Sequence, residues 1–174
     1  MPRDVSPRPK RVVWRPGLVV AIPVTGGGWG VGQTADLMMP NVGYVALFAH
    51  RCESLDIPVP TLARESLIGL VATTRHAVST GHWPLIDEAR PVVATAEFPN
   101  ERFAVEGYIG AKLYDPGVIE DFLGAYHGLH PWNGDFIEED FLDQLLLPGR
   151  PRPREAILLS PTERIDYRRS RGLP

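Results

Sequence analysis

The chain has 174 residues with an apolar fraction of 44%, enough to bury one core and ordinary for a globular protein, so wholesale disorder is excluded. No apolar run reaches the roughly 20 residues that span a bilayer, no signal-type leader follows the basic N-terminus, and a single cysteine, Cys52, excludes an intramolecular disulfide. The net charge of −3 conceals an asymmetry: residues 1–15 carry five bases against Asp4, residues 148–174 carry seven arginines against three acids, and the intervening residues hold six bases against seventeen acids, a net of −11.

Residues 1–11, with three prolines among arginines, read as a flexible basic arm ahead of a single globular domain over 12–149. Val12-Val13-Trp14 reads as a short strand or an anchoring plug. Two apolar stretches, 18–24 and 29–36, flank Gly26-Gly27-Gly28 and predict an N-terminal β-hairpin, because glycine supplies the positive φ of such turns. Pro23 has no N–H to give a ladder, which predicts a sheet edge or a bulge there. In the returning strand Trp29, Val31 and Gln33 alternate with Gly30, Gly32 and Thr34.

After a loop over 38–41, residues 43–50 form a continuous apolar run, expected of a strand covered on both faces. Pro58 and Pro60 mark a loop, Thr61 caps a short helical turn over 62–65, and the β-branched stretch 67–74 predicts another strand. Weaker strand expectations fall on 92–96, 103–105 and 107–114. Asp115 as N-cap, Pro116 at the first turn, apolar residues 118, 119, 122, 123 and 126, and Gly128 as stop predict a helix. A second helix is expected over 135–147, with Ile137, Phe141 and Leu145 as its stripe. Residues 150–174 read as a Pro/Arg-rich tail in which 156–159 adds one edge strand. The fold class expected is α+β: a curled antiparallel sheet of five to seven strands with two C-terminal helices packed on it.

The glycine cluster is not a phosphate loop. GGGWGVG fits neither dinucleotide nor nucleotide-triphosphate spacing, has no nearby lysine, and joins two strands where such a loop opens a helix. His127 and His130 stand three apart without a supporting cysteine or HExxH, so no metal is expected. Arg51 beside Cys52 is placed to lower the thiol pKa, but no paired base can be named from the sequence, and a buried, inert thiol is the better reading. Glu138, Glu139, Asp140 and Asp143 read as a solvated helix face or, functionally, a surface for a basic partner.

Several motifs then resemble the immunity-26 type proteins of bacterial polymorphic toxin systems. Pro16-Gly17 and Ala21-Ile22-Pro23-Val24, followed by Trp29-Gly30-Val31-Gly32-Gln33, are similar to that family's "GD-apolar-aromatic-AIPL" strand, turn and "aromatic-G-x-GQV" strand. Gly81-His82-Trp83-Pro84-Leu85-Ile86 is similar to its "G-x-W-x-x-I-G" segment, and residues 129–147 to its "L-x-P-W…Y-F-D-x-L-L-L" ending. Leu18 stands where the family carries an acid, and Asp87 where it carries glycine. The resemblance implies a non-catalytic cytoplasmic protein that binds and neutralises a cognate toxin domain, with no cofactor. The acidic body suits a basic nuclease toxin. The contact residues expected are His82, Trp83, Asp87, Asp135, Glu138, Glu139 and Asp143. Two other classes stay open: a small hydrolase or transferase using His82, Asp87 or Cys52, and a nucleic-acid binder working through the arginine tails, which the acidic body disfavours.

Overall fold

Three glycines close the hairpin. Val24 N donates to the Gly28 carbonyl at 3.0 Å and Gly27 N to Val24 at 2.8 Å. Gly26, Gly27 and Gly28 take φ of 102°, 122° and 79°, a region closed to most side chains. The computed structural model describes residues 11–174, so the arm expected over 1–11 lies outside the described residues except for Arg11. The turn joins β1 (Leu18–Pro23) to β2 (Trp29–Met39), and β3 (Val42–Cys52) and β4 (Leu67–Thr74) follow in an antiparallel meander. After the short helix α1 (His76–Ser79), β5 (Leu85–Glu88) pairs with β1, giving the order β4-β3-β2-β1-β5. The class is therefore α+β with a five-stranded antiparallel sheet, as expected. Pro23 lies beyond the Leu18–Val20 stretch that β5 pairs, and the β1–β5 register shifts between Val19 and Val20. Its missing N–H therefore costs no ladder bond.

Both faces of the sheet carry packed residues. On one face Leu18, Val20, Ile22, Val45, Leu47 and Ile68 share a core with α2 (Pro116–Tyr126), which buries Ile119, Phe122, Leu123 and Ala125. Asp115 caps α2 by accepting from Gly117 N at 2.8 Å, and Pro116 and Gly128 stand where the sequence places its limits. On the other face Tyr44, Ala46, Phe48 and Ala72 pack with Val93 and Phe98, and Phe98 stacks on Tyr44 at 4.6 Å. Trp14 is a plug: its Nε1 donates to the Ala35 carbonyl at 2.8 Å and its ring lies over Gly43.

The three strands expected over 92–96, 103–105 and 107–114 do not form. The chain there makes 3-10 turns, Thr95–Glu97 and Pro99–Glu106, and within 92–114 only Tyr114 makes a backbone bridge to the sheet, to Thr73. Proline at 99 starts the second turn with a fixed φ and no N–H, and apolar residues enter the core singly. Gln33 anchors this segment. Its buried amide donates to the Ala89 and Arg90 carbonyls, each at 3.1 Å, and accepts from Val92 N at 2.8 Å. Gln33→Ala is expected to cost about 2–3 kcal/mol, because three backbone groups lose their bonds to one buried amide, and the urea midpoint reports it.

The helix expected over 135–147 is also absent. Only Phe141–Leu145 forms a 3-10 turn, and Ile137, meant for the stripe, is exposed. Asp135, Glu138, Glu139, Asp140 and Asp143 fall at helical neighbour spacings, so a helix would set like charges side by side. The expected edge strand over 156–159 shrinks to one bridge between Pro131 and Ile157. Instead the tail forms α3 (Pro161–Ser170), opened by a capping box between Ser160 and Glu163. Arg164 donates to the carbonyls of Asn133, Phe136 and Ile137, and Arg168 to those of Gly134 and Phe136. These arginines give the non-helical segment the donors its own backbone does not supply.

Candidate partner-binding groove

The seven expected contact residues do not all reach solvent. Trp83 is fully buried in the α2-side core, which corrects its assignment as a contact residue: a large indole gains more from burial than from solvent. Its Nε1 donates to Glu120 Oε1 at 2.9 Å, and exposed His82 donates to the same oxygen at 2.6 Å. Asp87 is exposed on β5 and caps the backbone N of Glu88.

Part of the acidic stretch is paired with the chain's own tail. Asp143 accepts from Arg152 at 2.6 and 2.7 Å and from Trp132 Nε1 at 2.9 Å, and the adjacent guanidinium holds its carboxyl below the usual range. Asp135 meets Arg171 at 3.3 Å, lies 3.3 Å from His130 and accepts from the Tyr167 hydroxyl. Glu139 lies 3.8 Å from Arg164. Glu138 remains exposed.

The residues of the hydrolase alternative are not assembled either. Burial pushes the Cys52 thiol up and outweighs the lowering by Arg51, the direction that goes with an inert thiol. Cys52 Sγ faces the Trp29 carbonyl at 3.7 Å, while His82 is held at Glu120 of α2. Among the described residues no group of three or more His, Cys, Asp or Glu side chains converges on a metal position. No described helix is long and apolar enough to cross a membrane.

What the sheet does present is a groove of about 470 Å³ on the face opposite α2. Its floor is Ala21, Gly30 and Val31 of the hairpin; its walls are the 52–60 loop and Pro84-Leu85-Ile86 leading into β5. Gln33 pins the 89–92 segment next along this face, so that segment covers one half and leaves the hairpin half open. Leu55, Ile57 and Leu85 line the groove and are 39%, 52% and 37% exposed, a cluster of large apolar side chains in solvent. Exposed Asp56 and Asp87 stand beside it in the chain. No family model, curated protein or solved structure matches this chain. The groove residues were not legible in the sequence, because Leu55 and Ile57 look like ordinary loop apolars until tertiary structure leaves them uncovered. The one signal is their setting: an apolar pair around Asp56 just before two prolines.

Proposed function

We propose that the chain is a non-catalytic immunity protein that binds and neutralises a cognate bacterial toxin domain, a basic nuclease suiting it best, in the cytoplasm. The observation that carries this reading is the exposed apolar groove flanked by Asp56 and Asp87 on a body, residues 16–174 with the packed tail, of net charge −7. Exposed apolar clusters with charged rims are what protein partners bury, and the surrounding field steers a basic one. The resemblance of the hairpin and its flanking motifs to immunity-26 type proteins supports the same assignment. Use of the arginine tail for nucleic acid is disfavoured because Arg150, Arg152, Arg164, Arg168, Arg169 and Arg171 all bond within the chain.

The test is co-expression with the toxin domain encoded beside the gene, reading survival and the affinity of the purified pair. Ile57→Asp and Leu85→Arg are expected to weaken binding about thirtyfold or more each, as truncated interface anchors do. Glu138→Lys, away from the groove, is expected to leave survival unchanged. Full rescue by both groove variants sinks the groove as contact surface, and failure of the native chain to bind or rescue sinks the immunity reading.

A further inference from the structure

The outer edge of β4 carries a gap. Tyr114 N donates to the Ala72 carbonyl and Leu147 N to the Ile68 carbonyl, both at 2.9 Å, so two separate segments close that edge above and below. In an antiparallel ladder alternate residues turn both polar groups to one side. Leu70, midway between Ile68 and Ala72, therefore offers its N–H and C=O to the same edge, and no described backbone group outside the sheet bonds them. Beside this gap lies a cavity of about 170 Å³. Phe98, Phe103 and Leu146 give it apolar walls, and Lys112, Arg102 and Gln144 give it polar ones.

Its charge is opposite to that of its surroundings. Of the six basic residues among 16–147, two line this cavity, and no carboxylate does. Among the described residues neither cation forms an ion pair. Lys112 is held in place from its backbone: the buried Asn100 amide accepts from Lys112 N at 3.0 Å and donates to its carbonyl at 2.8 Å. Lys112 Nζ donates to Gln144 Oε1 at 2.9 Å, which leaves two of its three protons for another acceptor. The Arg102 guanidinium lies over the Phe103 ring, 4.5 Å from its centroid. Two exposed cations at the rim, one bonded to Gln144 and one lying over an aromatic ring, beside aromatic walls match an anion with an apolar body.

We propose that this cavity binds a carboxylate carried on a single aromatic or branched aliphatic group, with Lys112 and Arg102 receiving the charge. The volume is close to the roughly 150 Å³ that admits a benzene ring. A free arylcarboxylate and the C-terminal phenylalanine of a peptide share this chemistry.

The full chain, labelled with ¹⁵N, is titrated with phenylacetate, phenylacetamide, inorganic phosphate and acetyl-Gly-Gly-Phe while the amide signals of Leu70, Lys112 and Gln144 are followed. Phenylacetate or the peptide is expected to give saturable shifts at those residues, with Kd at or below about 1 mM. Lys112→Met and Arg102→Met are each expected to weaken this binding about tenfold or more, and phenylacetamide to bind about tenfold more weakly than phenylacetate. Arg64→Met, which removes a cation paired elsewhere with Glu97, is expected to leave it unchanged. Tighter binding of the peptide identifies a chain terminus as the source, and tighter binding of phenylacetate a free acid; both support the site. Should either cavity variant lose its native spectrum, Leu146→Trp, which fills the cavity without touching a cation, is expected to abolish the shifts. The proposal is overturned if neither carboxylate shifts these signals up to about 10 mM, if both methionine variants bind as the native chain does, or if phosphate binds as tightly.

Discussion

Trp83→Ala is expected to lower folding stability by about 3–5 kcal/mol, measured by urea denaturation, the range for truncating a large buried aromatic. Trp83 has no exposed surface, shares a core with Val78 and Ile119, and its backbone N donates to the Ala77 carbonyl at 2.9 Å. It therefore fastens the α1–β5 connection onto α2. Trp83→Phe separates the contributions. It keeps most of the packing but removes the indole N–H from Glu120, and is expected to cost about 1–2 kcal/mol. A contact residue would behave oppositely, keeping stability and losing partner affinity. A loss below about 1 kcal/mol in Trp83→Ala would contradict the buried assignment.

The contrast between Trp83 and the first strands marks where the sequence is legible. β1 to β4 were readable because each is a run of apolar or alternating residues with clear breaks, and residues 67–74 match β4 end to end. α2 was readable because a cap, a proline, a stripe and a stop coincide over 115–128. The segment 92–114 was not, since it is fixed by long-range side-chain clamps, Gln33 on Val92 and Asn100 on Lys112, which leave no local periodicity. β5 is four residues long and exists only through its pairing with β1. The stripe at 137, 141 and 145 carried the right period for a helix, but like charges and the tail's arginines decide otherwise. One signal was present and outweighed by composition: Ser160-Pro161-Thr162-Glu163 is a capping box with proline at the first turn, inside a stretch that otherwise resembles a linker. The candidate groove was the least legible feature, because exposure of Ile57 and Leu85 depends on which half of the sheet the 89–92 segment covers.

Arg168→Met is expected to cost about 2–3 kcal/mol, the second large effect, because it strips a donor from each of two carbonyls that have no helix to serve them and leaves that of buried Gly134 with none. Arg168 is the one buried arginine of α3; its Nη1 donates to Gly134 at 3.1 Å and to Phe136 at 2.7 Å. Methionine restores the apolar stem but no N–H, so packing survives while the buried Gly134 carbonyl loses its donor and Phe136 keeps only that of Arg164. Lysine at this position keeps a charge but not the planar fork, and is expected to recover less than half of the loss. Hydrogen exchange distinguishes the two ways the chain can respond. If residues 131–145 and α3 open together, amides in both segments lose protection in Arg168→Met while β1 to β4 keep theirs, and the urea slope falls because less surface unfolds cooperatively. If the tail is only an appendage, α3 alone loses protection and the midpoint stays within about 0.5 kcal/mol of the native chain. The five carbonyl contacts made by Arg164 and Arg168 favour the first outcome: the arginine-rich tail completes the core-facing segment that precedes it.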